Sequence, residues 1–385
     1  MLPAFSPSAA WQQDTTWHVA AQPVASLYIS NARSLATLGA QHQQMLARLG
    51  PVWSCGLLSY HAGELLHGLV SRAAPDSPLA VIHYYPDELV YRVTPPGLPL
   101  ASTSDFALVE PLVSQSGTRQ YHDAVERIKA YLLAGDVYQV NYARRFAGRF
   151  HGDALALWLQ LLAQHVAPHA SYFRIDAQRA VMGVSPERFL RIRDNQVVTE
   201  PIKGSRPRGT SQDDDQRLAN DLLASPKDRA ENLMIVDLLR NDLGQVCVPG
   251  SIVAEPLFEL RRFSNVQHLV STVRGELRHG VDVLDALLAC FPGGSITGAP
   301  KRRSMEIIAE LEPHPRGFYC GSQFSIDPSG NLDSNILIRT FQTEGEQIYC
   351  HGGGGIVMDS DAGQEFAESE FKVRALINAL SSDSP

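Results

Sequence analysis

The sequence predicts a mixed α/β fold whose strands pair in antiparallel hairpins. Two observations lead to this prediction. Strand-like runs follow one another through short turns between residues 171 and 202, and clear helical runs stand before and after them. A doubly wound parallel sheet requires strand and helix to alternate strictly, and this chain does not show that alternation.

Two helices carry clear start and stop signals. The first repeats apolar residues at helical spacing, and Gly135 is placed to end it. In the second, Ser225 is a candidate N-cap, a proline suits the first helical position, and Gly244 can end the helix. Further helices are predicted from the acidic run "DDD", in "KRRSMEIIAELE", and over about residues 361–380.

The predicted strands are short runs bounded by turn residues. In chain order they are "SYFRID", "AVMGVSP", "RFLRIRD", "QVVTEPI", "HLVSTVRGEL", "NILIRTF" and "QIYCHG". The stretch "TPPGLPLASTSD", residues 94–105, is rich in proline and serine. It predicts a linker or surface crossing between an N-terminal portion and the rest of the chain.

Composition excludes several classes of function. The 385 residues are 44% hydrophobic and 19% charged, which is typical of a globular protein, and the formal net charge of -8 argues against a nucleic-acid partner. The five cysteines are odd in number and form no C-x-x-C pair, so neither a disulfide framework nor a zinc site is expected. No apolar run approaches the ~20 residues of a membrane span, and the N-terminus lacks a signal-peptide pattern. We therefore expect a cytoplasmic protein without a membrane partner.

Two glycine-rich stretches are candidate binding loops. In "FPGGSITGAPK" the residue after Gly298 is alanine, so the stretch lacks the Gly-Lys-Ser/Thr ending of a phosphate-binding loop. The run "GGGG", residues 352–355, follows a predicted strand and precedes a helix. It is either a tight turn or a set of backbone N–H groups that converge on an anion, and the sequence alone favours the turn.

Four polar residues are candidates for chemistry, and each has an ordinary structural alternative. Glu368 lies off the apolar stripe of its helix, with Lys372 four residues on, so the two are either a solvated ion pair or part of a site. Glu231 lies on a separate helix, and the two carboxylates together would suit Mg²⁺. His268 is either a packed core histidine or a general acid at a strand end.

Lys203 stands in the stretch "EPIKGSRPRG". Taken alone it is either a solvated charge at a strand end or a nucleophile, and the residues around it leave both interpretations open.

Taken together and in order, the motifs resemble the chorismate-utilising enzymes. The resemblance covers about two-thirds of the chain, from about residue 121 to the C-terminus, and is looser at "CGLLSYHAGELL" near the N-terminus. The motifs that carry it are "DVYQVNYARRF", "VSPERFL", "PIKGS", "DRAENLMIVDLLRNDLG", "HLVST", "FPGGSITGAPK", "LDSNILIRT", "GGGGIV" and "ESEFK". It implies a single catalytic domain over residues 1–385, with a divergent portion at 1–105 and a motif-bearing core at 121–380.

The resemblance also implies an architecture and a reaction. Members of the family have two antiparallel β-sheets with helices between and outside them, and the site lies between the sheets. The anthranilate synthases carry Pro-Ile-Ala-Gly-Thr where this chain has Lys203. The lysine implies amination of chorismate at C4 through a covalent adduct at C2, a step toward 4-aminobenzoate and folate. In that reaction His268 would protonate the leaving hydroxyl, and Glu187 would handle protons around the lysine and ammonia.

The family assigns further residues to the substrate and to a metal. Glu231 and Glu368 would hold Mg²⁺. Gln139 replaces the lysine that activates water in the isochorismate and salicylate synthases, so an amine nucleophile is favoured over water. The residues expected at the substrate are Gln139, Thr272, Arg339, Gly353, Gly354, Gly355 and Lys372.

The chain departs from the family in two places and lacks an ammonia source. It has Phe324 and Ser325 where the family carries Gly-Tyr, and "LYISNARS" matches the family's tryptophan-binding stretch only weakly. No cysteine stands in a Gly-x-Cys-x-Gly elbow, so a separate glutamine amidotransferase subunit is implied, in a heterodimer. The alternatives are an anthranilate synthase large subunit, which Lys203 opposes, and a non-catalytic relative, which would lack Glu231, Glu368 or His268.

Overall fold

The computed structural model describes residues 6–94, 100, 105–263 and 266–380. These residues form 22 strands and ten helices. The strands are β1 (Ala9–Gln13), β2 (Thr16–Ala20), β3 (Ala25–Ile29), β4 (Trp53–Leu58), β5 (Ala80–Tyr85), β6 (Val90–Val93), β7 (Phe106–Ser114), β8 (Gln139–Gly152), β9 (His169–Arg174), β10 (Arg179–Ser185), β11 (Arg188–Arg193), β12 (Gln196–Thr199), β13 (Ile202–Pro207), β14 (Val253–Ala254), β15 (Glu259–Arg262), β16 (Val266–Val270), β17 (Val273–Glu276), β18 (Gly298–Ala299), β19 (Ser322–Ile326), β20 (Leu332–Asn335), β21 (Thr340–Glu344) and β22 (Gln347–Ile356).

The helices are α1 (Ala32–Leu35), α2 (Leu38–Leu49), α3 (Tyr60–Leu66), α4 (Thr118–Ala134), α5 (Ala154–Gln164), α6 (Gln212–Ala224), α7 (Pro226–Gly244), α8 (Val283–Cys290), α9 (Lys301–Leu311) and α10 (Ala362–Asn378). Both start signals of the predicted second helix are confirmed, because Ser225 caps α7 and a proline opens it. Most of the predicted linker at 94–105 lies outside the described residues.

Two large antiparallel sheets dominate the fold, which confirms the predicted class. The ten-stranded sheet has the order β18-β8-β22-β21-β10-β9-β1-β2-β6, and β7 pairs with β8 beside this path. The nine-stranded sheet has the order β14-β17-β12-β11-β20-β19-β4-β5-β3. A third sheet, β13-β16-β15, was not predicted. Strands from before residue 94 lie in both large sheets.

The two large sheets face each other directly through an aromatic cluster. Trp11 of the ten-stranded sheet lies 5.7 Å, between ring centroids, from Trp53 of the nine-stranded sheet. His18 stacks on Trp11 at 5.3 Å and lies 5.1 Å from Trp53. Elsewhere apolar residues of α4, α7, α8 and α9 share one hydrophobic core with residues of both large sheets.

A buried ion pair fixes the loop between α8 and α9. The Lys301 Nζ lies 2.7 Å from Asp242 Oδ2 of α7 and donates to the Cys290 carbonyl oxygen at 2.9 Å. Both charged side chains are buried. Because the pair joins the start of α9 to α7, it holds the intervening segment that carries Ser295.

Two predicted strands are wrong as single strands. The stretch "NILIRTF" contains the end of β20 and the start of β21, and residues 336–339 cross from the nine-stranded to the ten-stranded sheet. The stretch "HLVSTVRGEL" bends after Val270 and divides into β16 and β17, which belong to different sheets. In the first stretch apolar residues continue through the break, and in the second they stand on either side of it, so hydrophobicity alone did not reveal a change of sheet.

The glycine run at residues 352–355 is not the predicted turn. All four residues lie within β22, where they pair with residues 141–144 of β8. A Cβ on Gly352 would lie 2.2 Å from the Ser369 carbonyl oxygen, and one on Gly355 would lie 2.8 Å from the Gln139 amide nitrogen. Glycine is required here because α10 and the Gln139 side chain approach the strand too closely for any side chain.

Among the described residues no helix combines the length and the apolar character that a membrane crossing needs. All five cysteines are buried free thiols.

The Lys301–Asp242 pair generates the first prediction. Lys301→Met should lower the free energy of unfolding by about 3–5 kcal/mol, because it leaves the Asp242 charge buried without a partner. The double variant Lys301→Met, Asp242→Leu should recover most of that loss, since it removes both charges and keeps the volume. Urea unfolding followed by tryptophan fluorescence measures both. A double variant as unstable as the single one would contradict the ion-pair explanation.

Candidate active site

A strand irregularity sets the position of Lys203. The pairing of β13 with β16 shifts register between Ile202 and Ser205, so Lys203 and Gly204 bulge from the ladder. Gly204 adopts a left-handed φ of 80°, which favours glycine. The bulge directs the Lys203 Nζ toward the carbonyl oxygen of Ser295, at 3.5 Å. The only sequence signal for this bulge is the single glycine, Gly204, within the strand.

Burial shifts the pKa values of Lys203 and Glu187 in opposite directions. Burial lowers the pKa of Lys203, although the charges of Glu187 and Glu231 oppose that effect. Burial raises the pKa of Glu187 to about 7, while the nearby Ser295 hydroxyl and the charge of Lys203 oppose the increase. The amine is therefore neutral more often than an ordinary lysine, and the carboxyl exchanges its proton near neutral pH.

His268 lies on β16 beside the bulge. Its Nδ1 is 2.7 Å from the Ser205 hydroxyl, and its Nε2 is buried without a hydrogen-bond partner in the described part of the chain. Burial lowers the pKa of His268 to about 4, and the positive charge of Arg339 adds to this effect. The ring is neutral at pH 7 and keeps one nitrogen free for a further partner.

Arg339 stands where the chain crosses between the two large sheets. Its backbone has a left-handed φ of 51°, which is uncommon for a residue other than glycine. Burial lowers the pKa of its guanidinium, and no carboxylate within the described residues forms an ion pair with it. A half-buried cation on strained backbone without an acidic partner is suited to hold an anionic ligand.

The acidic groups of α10 gather over the glycine strand. The Glu368 Oε1 lies 2.7 Å from Lys372 Nζ, so the predicted i,i+4 ion pair is formed. Lys372 also donates to the Gly353 carbonyl oxygen at 3.0 Å. Glu365, one turn earlier, was missed from the sequence. A Cβ on Gly354 would lie 3.3 Å from its Oε2, which places all three side chains above the strand.

The carboxylates influence one another across two helices. Burial raises the pKa of Glu365, and the charge of Glu368 adds to the increase. Burial also raises the pKa of Glu231 on α7, where Lys203 opposes and Glu365 contributes to the increase. For Glu368 burial acts in the same direction, but Lys372 outweighs it and the pKa is lowered. Negative charge concentrated in this way favours a bound cation.

These carboxylates do not form a complete metal site by themselves. Within the described ranges no group of three or more His, Cys, Asp or Glu side chains is placed to hold a metal ion together. Mg²⁺ usually keeps several waters and takes only one or two protein carboxylates. The donor set offered by Glu231 and Glu368 fits that ion, provided that water and substrate oxygens complete the shell.

Four further expected substrate residues, Gln139 and Gly353 to Gly355, lie on the strands β8 and β22. Gln139 is fully buried, and neither its Oε1 nor its Nε2 has a hydrogen-bond partner among the described groups. The glycine run pairs with β8 on one edge, while the pairing of β22 with β21 ends at Cys350. Successive residues of a strand direct their N–H groups to opposite edges. Every second glycine amide therefore points away from β8, toward the edge of β22 that β21 leaves after Cys350.

Not every expected residue joins this cluster. Thr272 lies at the bend between β16 and β17, where its backbone N–H donates to the Pro256 carbonyl oxygen, and no described contact links it to Lys203. Phe324 and Ser325 line a separate cavity of about 20 Å³ between the large sheets. That volume holds about one water molecule.

Comparison with known proteins gives the family. The family model for chorismate binding enzymes matches residues 6–378. The chain belongs to the chorismate binding enzymes. Aminodeoxychorismate synthase component 1 of Klebsiella aerogenes is 45% identical over 284 residues, which are 74% of this chain and 62% of that protein. Anthranilate synthase component 1 of Aquifex aeolicus is 43% identical over 261 residues, which are 68% of this chain and 53% of that protein.

The matched stretches thus span less than two thirds of these relatives' own length. Solved structures confirm the fold. Anthranilate synthase component I from Streptococcus pneumoniae superimposes with a TM-score of 0.78 at 23% identity, covering 98% of this chain and 94% of that one.

The pKa directions at Lys203 generate a second prediction. Pulse labelling with acetic anhydride should show a lower pH midpoint for Lys203 than for Lys227, whose side chain is 63% exposed. In Glu187→Gln the midpoint for Lys203 should fall further, because the Glu187 charge raises the pKa of Lys203. Peptide mass spectrometry after digestion gives both midpoints. A Lys203 midpoint equal to or above that of Lys227 would contradict the buried-amine assignment.

Proposed function

We propose that this chain converts chorismate and ammonia to 4-amino-4-deoxychorismate in the cytoplasm, as component 1 of an aminodeoxychorismate synthase. The observation that carries the proposal is the Lys203 amine, which a strand bulge directs into the interior beside a carboxyl group of pKa about 7. The similarity to the component 1 relatives supports it. We also propose one catalytic domain over residues 1–385, with a divergent portion at 1–105 and a core at 121–380.

The reaction proceeds in two displacements. The neutral Lys203 amine adds at C2 of the ring, the double bonds shift, and the C4 hydroxyl leaves as water after protonation. Ammonia then adds at C4, the double bonds shift back, and the lysine leaves C2. One hydroxyl is exchanged for one amino group, and the covalent adduct divides a difficult substitution into two easier ones.

The neighbouring side chains manage the protons. Glu187 accepts a proton from the Lys203 ammonium that forms on attack, and returns it when the lysine leaves. His268, protonated in the substrate complex, gives a proton from Nε2 to the leaving hydroxyl and recovers one from the ammonium that forms when ammonia adds at C4. The Ser205 hydroxyl holds the ring in place. Gln139 is a neutral amide that cannot deprotonate water, so the pocket favours an amine nucleophile.

The anionic end of chorismate is held by positive groups and amides. Arg339 lacks an acidic partner among the described residues and is available to a substrate carboxylate. Lys372 and the alternate amides of Gly353, Gly354 and Gly355 face the same region. Thr272 is proposed at the periphery of the substrate. Glu231 and Glu368 would hold Mg²⁺, which when bound neutralises the charge of a ring carboxylate.

Two alternatives are less well supported. An anthranilate synthase large subunit shares the fold, and such relatives match this chain, but Lys203 replaces their alanine. A non-catalytic chorismate-binding relative is opposed by the presence of Glu231, Glu368 and His268.

The proposal is tested by incubating the purified chain with chorismate, Mg²⁺ and ammonium and identifying the product by mass. Lys203→Ala should lower the rate of aminodeoxychorismate formation by at least about 10³-fold, because nucleophilic catalysis through the amine is lost. Lys227→Ala serves as the control, since it removes an exposed lysine next to the same region. Retained turnover to the same product in Lys203→Ala would contradict the covalent role of Lys203.

A metal titration tests the two carboxylates. Glu231→Gln and Glu368→Gln should each raise the Mg²⁺ concentration for half-maximal activity by about tenfold or more, because one hard oxygen ligand is removed. Asp237→Asn, an exposed change on the helix that carries Glu231, should leave the titration unchanged. An unaltered Mg²⁺ requirement in either glutamine variant would refute that residue as a ligand.

The ammonia source gives a further prediction. Burial raises the pKa of every cysteine in the chain, to about 12 for Cys55 and Cys320 and about 11 for Cys247. A thiol in that state does not supply the thiolate that glutamine hydrolysis requires. The isolated chain should use ammonium but release no glutamate from glutamine, until a separate amidotransferase is added. Sustained glutamate release by the chain alone would show that one of these cysteines does act as a nucleophile.

A further inference from the structure

A second cavity lies beside the ten-stranded sheet, among β8, β10, β21, β22 and the segment at residues 315–318. It encloses about 140 Å³, and none of the residues assigned to the proposed reaction lines it. The residues that line it are His61, Ala74, Ser77, Pro78, Arg145, Ile175, Arg179, Ala180, Val181, Pro315, Arg316, Gly317, Phe318, Gln342, Thr343, Glu344, Tyr349 and His351.

His351 is an unpartnered polar group in the wall of this cavity. Its side chain is only 5% exposed, and it stacks on Tyr319 with ring centroids 4.8 Å apart. Neither ring nitrogen makes a hydrogen bond of good geometry to a described group, although the Pro315 carbonyl lies beside the ring. Burial lowers its pKa well below the usual value, so the ring is neutral and presents one N–H donor. Buried polar groups normally have a partner, and a ligand in the cavity would supply one.

Arg145 adds an unpaired positive charge on the same face of the sheet. It stands opposite His351 in the β8–β22 ladder, and its guanidinium lies 4.9 Å from the Tyr349 ring centroid. Its Nη2 contacts His314 Nδ1 at 3.2 Å, and no carboxylate of the described residues forms an ion pair with it. Arginine stays charged at neutral pH, so the cavity contains a cation that lacks a counter-charge.

The other two arginines in the lining are already neutralised. Arg316 lies 2.6 Å from Glu312, and Arg179 lies 2.6 Å from Asp176. The one acid in the lining, Glu344, is exposed at the rim. The interior of the cavity is therefore positive on the side of Arg145 alone.

The rest of the lining is apolar and suits a flat ring. Ala180, Val181, Pro315, Phe318 and Tyr349 contribute carbon surface to the walls. A cavity of roughly 150 Å³ takes up a benzene ring, so the measured volume matches a single six-membered ring. Ligand pockets commonly combine apolar walls with a few fixed polar groups of this kind.

We propose that this cavity binds a small planar monocarboxylate, such as a benzoate-type acid. Its carboxylate accepts hydrogen bonds from Arg145 and from the His351 N–H, and its ring packs against Tyr349 and Phe318. The site is separate from the one proposed for chorismate. The bound carboxylate would give the His351 N–H the hydrogen-bond partner that it lacks among the described residues.

Calorimetric titration of the purified full chain with benzoate tests this inference. Benzoate should bind to one site, while benzamide, which is neutral and of the same shape, should bind at least about tenfold more weakly. Arg145→Gln should weaken benzoate binding by about tenfold or more for the same reason. Arg149→Gln is the matched control, because it makes the same change four residues further along β8, where the arginine forms exposed ion pairs. This variant should leave benzoate binding unchanged.

One further variant keeps the test decisive. Arg339→Gln should leave benzoate binding unchanged, whereas loss of binding there would place the probe in the chorismate region and overturn the proposal. No heat of binding up to ~10 mM benzoate, or equal affinity for benzamide, would also overturn it. The comparison of the two probes uses the unaltered protein, so it decides the question even if Arg145→Gln fails to fold. None of these measurements depends on the amination reaction.

Discussion

Among the described residues, the fold depends on pairing the charges that it buries outside the candidate active site. Arg316 with Glu312, Lys301 with Asp242, and Arg188 with Asp333 are ion pairs of 2.6–2.8 Å between buried side chains. Lys301 with Asp242 and Arg188 with Asp333 join segments that are far apart in the sequence, whereas Arg316 with Glu312 holds the turn that follows α9. A buried charge without its partner costs several kcal/mol, so these pairs fix where strands, helices and loops meet.

Lys203 departs from that rule, and the departure gives the site its chemistry. Lys301 has a carboxylate at 2.7 Å, whereas the only hydrogen bond described for the Lys203 amine is to the Ser295 carbonyl oxygen at 3.5 Å. Glu187 acts on Lys203 through its charge but forms no ion pair with it. The amine is desolvated without being fully compensated, and this lowers its pKa. The same chain thus contains one lysine built for structure and one suited to reaction.

Much of the fold and of the site was predictable from the sequence, and the failures have physical causes. Helix α7 follows from its cap and proline, and the antiparallel class follows from short successive strands. The crossing at residues 336–339 was missed because apolar residues continue through it. The sequence favours a turn for the glycine run, because the close packing of α10 against it is a tertiary contact that no local pattern shows. Glu365 was missed because one more acid in an acidic helix has no distinguishing pattern.

The pairing of β8 with β22 has a consequence for how the chain folds during synthesis. Its register joins Arg149 to Gln347 and Val140 to Ile356, so partners are about 200 residues apart in the chain. Contacts of such separation close slowly, since the loop entropy must be overcome before they form. The edge of β8 that later receives the glycine strand is therefore exposed while the ribosome completes the chain. During that interval the edge can pair with other nascent chains, so recovery of native protein should depend on chaperone supply more than on final stability.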